Sequence, residues 1–116
     1  MKNSLKTLFL LATLTMSTVV FSQEVKKTEI IKIKTSAQCD QCKERIEKTM
    51  AYEKGVKKSN LDVETAVLTV EYSPKKTSPE KIKKAVSDVG YDADEVLANP
   101  EAYQKLPTCC KKGGHK

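Results

Sequence analysis

The sequence has no tryptophan, two phenylalanines and one histidine. Its alternating apolar runs lack exposed aromatics for stacking bases, which argues against a single-stranded nucleic-acid platform. No proline stands near the first cysteine pair, Cys39 and Cys42. Together with the missing tryptophan and a different order of elements, this counts against a thioredoxin-like redox enzyme. No internal repeat or low-complexity segment interrupts the chain. Its longest apolar run, Leu8 to Phe21, is diluted by Thr13, Thr15, Ser17 and Thr18 and falls short of the roughly 20 residues a membrane span needs.

That run is preceded by Lys2 and Lys6 and ends at Ser22, the pattern of a cleaved export signal over residues 1–22. No cysteine follows it closely, so no lipid anchor is indicated. The expectation is an exported, soluble mature chain without a membrane span, in a periplasm or outside the cell. Residues 1–22 hold two of the 21 basic residues and none of the 15 acidic ones, so the remaining 94 carry a net +4. This suits one small domain. The excess lies among Glu and Asp along helices and strands, a solvated surface and not a nucleic-acid footprint.

Glu29 to Thr35 places Ile31 and Ile33 on one face and Lys32 and Lys34 on the other, a half-buried strand. From Asp40 to Glu53, Cys42, Ile46 and Met50 recur every four residues, and Lys43 and Glu47 form an i,i+4 pair. This predicts an amphipathic helix closed by Gly55. Ser59, Leu61 and Val63, then Ala66, Leu68, Val70 and Tyr72, define two strands turning at Glu64-Thr65. Ser78 caps a second helix that starts at Pro79 and runs to Gly90, with Ile82, Ala85, Val86 and Val89 inward. Ala93 to Leu97 supplies a fourth strand, interrupted by Asp92, Asp94 and Glu95. The order βαββαβ predicts an α+β, ferredoxin-like fold over residues 23–98: a four-stranded antiparallel sheet with two helices on one face.

Cys39 and Cys42 stand where the first strand gives way to the first helix. There the helix dipole and the adjacent Lys43 favour the Cys42 thiolate, the form that binds metals. Two thiolates on a short loop hold a soft ion in near-linear coordination, which suits Cu(I) or Hg(II), whereas Zn(II) needs further ligands. A structural disulfide and thiol redox catalysis are the alternatives for the same pair. Outside the cytoplasm disulfides persist, and four cysteines allow three pairings.

The segment from about Ile30 to Val96 resembles the heavy-metal-associated domain of copper chaperones, metal-pumping ATPases and a periplasmic mercury-binding protein. The resemblance rests on Cys39-Asp40-Gln41-Cys42, Gly55-Val56, Leu61-Asp62-Val63-Glu64-Thr65, Leu68-Thr69-Val70-Glu71-Tyr72 and Gly90-Tyr91-Asp92-Ala93. It implies a non-enzymatic protein that passes its ion to a metal-transporting ATPase or another metal-binding protein through a three-coordinate intermediate. A monomer or a metal-bridged dimer would serve. The family usually carries a methionine two residues before its first cysteine; Ala37 replaces it here, which bears on loop rigidity more than on binding. Tyr91 either shields the metal, as an aromatic there does in bacterial relatives, or closes the core.

Residues 99–116 form a tail the family does not need. Asn99-Pro100 starts a short helix through Leu106, Pro107 stops it, and Cys109, Cys110 and His115 follow as candidate accessory ligands or as incidental residues of a basic end. A fourth strand ending at the far pole would require the tail to climb about 17–20 Å. Its helical and extended residues together reach on the order of 25 Å. Contact leaves little slack; if made, Cys39, Cys42, Cys109 and Cys110 could make a four-sulfur site able to hold zinc or lock copper, and if not, Cys109, Cys110 and His115 would form a separate weak site or recruit metal in trans.

Overall fold

In the computed structural model, residues 27–112 are described; the leader at residues 1–22 and His115 lie outside them. Strand β1 (Glu29–Lys34) is followed by helix α1 (Asp40–Tyr52), strands β2 (Val56–Asp62) and β3 (Val67–Tyr72), helix α2 (Pro79–Asp88), a short helix α3 (Pro100–Gln104) and a 3-10 turn at Thr108–Cys110. The sheet is antiparallel with order β1-β3-β2. Ile33 pairs with Leu68 and Ile31 with Val70, while Leu61 pairs with Leu68 on the other side. One face therefore carries Ile33, Leu61, Leu68, Val70 and Tyr72, all buried against Cys42, Ile46 and Met50 of α1 and Ile82, Ala85 and Val86 of α2. Each large apolar side chain so buried contributes about 1.5–3 kcal/mol.

The local signals act as expected at both helices. The Ser78 hydroxyl accepts the Lys81 amide at 3.3 Å, and Pro79 opens α2. Lys43 and Glu47 pair at 3.1 Å. Helix α1 stops at Tyr52 with extended backbone at Glu53, ahead of Gly55. The β2–β3 turn is wider than expected: the Asp62 carboxylate accepts the Glu64 amide, and Ala66 takes a positive φ of 60°. Val63 thus enters the turn and leaves the inner face.

The fourth strand does not form. Its segment makes only isolated bridges, Thr35 with Ala93 and Ala93 with Val96. Asp94 is the cause. Its amide donates to the Lys34 carbonyl and its carboxylate accepts the Lys34 amide, both at 2.8 Å, so one residue consumes both bonding groups of Lys34. With φ at 51°, Asp94 then reverses the chain, and Ala93 and Val96 exchange bonds at 2.8 and 2.9 Å. Short polar side chains that bond nearby backbone compete with sheet ladders in this way. The chain folds back over the end of α2, where the Ser87 hydroxyl donates to the Leu97 carbonyl at 2.6 Å and the Ser87 carbonyl accepts the Asn99 amide at 2.9 Å.

Gly90 makes this reversal dense. At φ +101°, a Cβ there would sit 3.0 Å from the Ala102 carbonyl carbon and 3.1 Å from the Tyr103 nitrogen. Gly90→Ala is expected to cost about 1–3 kcal/mol, because positive φ and backbone contact with α3 both oppose it. Urea unfolding of the variant checks this, and an unchanged midpoint would refute it.

Candidate metal centre

The loop after β1 is fastened by hydroxyls. Thr35 donates to the Ala66 carbonyl at 2.7 Å and accepts the Ala37 amide at 3.1 Å. Ser36 accepts the Asp92 amide at 2.9 Å. Ala37 is buried beneath the loop, which these hydroxyl contacts hold in place. Cys39 then caps α1 in an extended conformation, and its carbonyl accepts the Lys43 amide at 3.1 Å. One turn closes between the thiols. The Cys39 and Cys42 sulfurs lie 3.3 Å apart.

The tail reaches them, by a shorter route than the one expected. Because the chain reverses at Asp94, it never travels to the far pole, and α3 begins beside the end of α2. Asn99 caps α3 through the Ala102 amide at 3.1 Å. Leu106 enters the core, and after Pro107 the 3-10 turn carries Cys110 inward, its amide bonded to the Pro107 carbonyl at 2.9 Å. The Cys110 sulfur, buried, lies 3.8 Å from that of Cys39. The sulfurs of Cys39, Cys42 and Cys110 all fall within 4.8 Å of one another.

Cys109 stands outside this group. Its thiol donates to the Gln41 side-chain carbonyl at 3.1 Å and lies 3.8 Å from the Cys110 sulfur. The structure thus groups three sulfurs, with the fourth adjoining the cluster through Cys110. All four cysteines are free thiols.

Beyond the cysteines, Lys112 fastens the tail. Its ammonium pairs with Asp92 at 2.7 Å and its amide donates to the Tyr103 hydroxyl at 2.9 Å. Gln41, Asp92 and Lys112 are contacts that sequence reasoning missed. Asp92 offered only the look of a strand breaker, and nothing local pairs it with a residue twenty positions on.

The thiols differ in acidity. Burial pushes the Cys39 thiol up. Burial also acts upward on Cys42, but the Gln38 backbone amide and the neighbouring Cys110, Cys39 and Tyr91 side chains outweigh it, leaving Cys42 below the ordinary thiol value. Lys43 is not the cause. Its ammonium is taken up by Glu47 at 3.1 Å, Asn60 at 3.0 Å and the Leu61 carbonyl at 2.9 Å. Burial pushes Cys110 up to about 12. Tyr91 is fully buried, and its hydroxyl has no hydrogen bond of ordinary length; burial first, then the Cys110 and Cys42 thiols, raise its pKa strongly. It both fills the core and borders the cluster.

The Lys112 ammonium beside Asp92 holds that carboxyl below its usual range. A depressed carboxyl stabilises the folded form above its unfolded pKa, and that contribution is lost as pH falls through the folded value. Cys110 is therefore expected to stay protected at neutral pH and to become reactive toward a pyridyl disulfide, which works in acid, as Asp92 is protonated. Equal protection of Cys110 throughout that range would contradict a tail fastened by this pair.

A small sheet-and-helix domain with a soft three-sulfur cluster at one pole defines a thiol-rich metal-site class. The model of the heavy-metal-associated domain matches residues 33–92, and the chain belongs to that family. It is 33% identical over 72 residues to copper-transporting ATPase 1 of Rattus norvegicus, a match covering 62% of this chain. The chain spans only 5% of that ATPase's length. It is 33% identical over 54 residues to the copper chaperone CopZ of Staphylococcus haemolyticus, covering 47% of this chain and 79% of the chaperone. Among solved structures, the N-terminal domain of a potential copper-translocating P-type ATPase from Bacillus subtilis, in its Cu(I)-loaded state, is 32% identical with a TM-score of 0.56, covering 59% of this chain and 86% of that one. The tail with Cys109 and Cys110 lies beyond the matched residues 33–92. No described helix is long and apolar enough to cross a membrane.

Proposed function

We propose that this chain is an exported, non-enzymatic protein that captures Cu(I) through Cys39 and Cys42 and retains it with Cys110 as a third ligand. The observation that carries this reading is the convergence of three sulfurs from segments far apart in sequence. Thiolates select soft ions. The copper chaperone and copper ATPase relatives favour copper over Hg(II), and Zn(II) prefers four ligands, whereas three sulfurs gather here. His115 is proposed only as an outer ligand in trans.

A two-coordinate ion leaves a third position open to a partner's thiolate. Here Cys110 stands where that thiolate would enter, so the chain holds its cargo as a monomer and hands it on only when the tail yields. A metal-transporting ATPase or another metal-binding protein is the natural recipient. Tyr91 supports the site by excluding water from its buried side.

Competition against a Cu(I) chelator tests the function, with insulin reduction as the control for a thiol-disulfide enzyme. The proposal expects tight one-to-one Cu(I) binding and no reduction of insulin; the reverse pair of results would sink it. Export is tested separately by the mature N-terminus in cell fractions, expected near Gln23.

A further inference from the structure

The same cluster has a feature that copper does not require. It groups three thiols within 4.8 Å of one another, and Cys109, 3.8 Å from Cys110 with its thiol donating to Gln41, is not among them. Among the described residues no ammonium hydrogen-bonds to Cys39, Cys42 or Cys110: Lys43 is held by Glu47 and Lys112 by Asp92. Three thiolates around a monovalent ion therefore leave a net charge of −2 in a largely buried site, which costs free energy. Around a trivalent centre the same three thiolates balance to zero.

We propose that Cys39, Cys42 and Cys110 form a binding site for trivalent metalloid hydroxides, the class that includes arsenous and antimonous acids. The inference rests on the reading of this cluster as a soft-ion site and extends it to a second ligand class. A trivalent metalloid takes three sulfurs as a pyramid and fills the remaining direction with its lone pair, so it needs no fourth donor.

The step is a condensation without redox change: As(OH)3 and three thiols give As(SR)3 and three waters. Each As–O bond is replaced by an As–S bond, and each thiol proton leaves with a hydroxide as water. The reaction draws on neutral thiols and ends neutral, as a buried site favours. Water would reverse it, and Cys42, Cys110 and Tyr91 are each at most 1% exposed. The sulfur spacings of 3.3 and 3.8 Å already bring Cys39 within one atom's reach of its two partners.

The test titrates the reduced full chain with inorganic arsenite under anaerobic conditions, read by native mass spectrometry and near-ultraviolet absorption, with Cu(I) titrated in parallel. The wild type is expected to add one arsenic with loss of three protons. C110S is expected to lose on the order of 10²-fold in arsenite affinity, the chelate advantage of a linked third group, while still taking Cu(I). C109S is expected to match the wild type. Uptake of Cu(I) without arsenite would overturn this inference and leave the copper reading standing. Uptake of neither ion would remove both. Equal arsenite affinity in C110S, or an adduct that loses only two protons, would overturn the three-sulfur assignment. The proton count needs no variant, so the test survives a misfolded C110S.

Discussion

Replacing Cys39 and Cys42 together by serine is expected to lower Cu(I) affinity by on the order of 10³-fold or more, within the range that linked ligands confer. Two sulfurs 3.3 Å apart act as one chelate, and the Cys109 and Cys110 sulfurs that remain lie farther apart, at 3.8 Å. The fold should survive. Cys39 is only half-buried and Cys42, though fully buried, changes by one atom; a buried hydroxyl lacking a good partner costs about 1–3 kcal/mol. Chelator competition reads the affinity, and circular dichroism confirms the scaffold. Retained tight binding would move the metal site elsewhere in the chain.

The second large effect concerns retention. In C110S, Cu(I) is expected to pass to an acceptor dithiol at least about tenfold faster, equivalent to 1.4 kcal/mol, because the third position is opened to an incoming thiolate. Cys110 is held by the Leu106 anchor, the 3-10 turn and the Lys112 pair with Asp92. D92N should therefore shift transfer in the same direction but less, since the apolar anchor remains. Metal-exchange kinetics monitored through the acceptor would show both. Equal rates for wild type and C110S would mean that the tail thiol lies near the ion without holding it.

Much of the scaffold was legible in the sequence because its signals are local. The alternation at Ile31 and Ile33, the four-residue spacing of Cys42, Ile46 and Met50, and the Ser78-Pro79 start of α2 each depend on a few neighbouring residues. The strand from Ala93 to Leu97 failed for a reason that is also local but of opposite sign: the Asp94 carboxylate and amide take the Lys34 groups that a fourth strand would have used. Alternating hydrophobicity does not weigh such side-chain competition.

That reversal also sets the route of the tail. A completed fourth strand would have carried residue 99 to the far pole, leaving Cys110 barely within reach. The reversal keeps α3 beside α2, with Gly90 packed against Ala102 and Tyr103, and brings Cys110 to the cluster without a long climb. The acidity of Cys42 was anticipated in direction but not in cause. Lys43 reaches across to β2, while Gln38, Cys110, Cys39 and Tyr91 do the lowering. The cluster joins residues up to 71 positions apart, a relation that periodicity and spacing along the chain do not encode.

X-ray absorption of the Cu(I)-loaded full chain, compared with C110S, tests the three-sulfur centre most directly. The account predicts three sulfur neighbours around copper in the wild type and two in C110S. Two sulfurs in both proteins would contradict it.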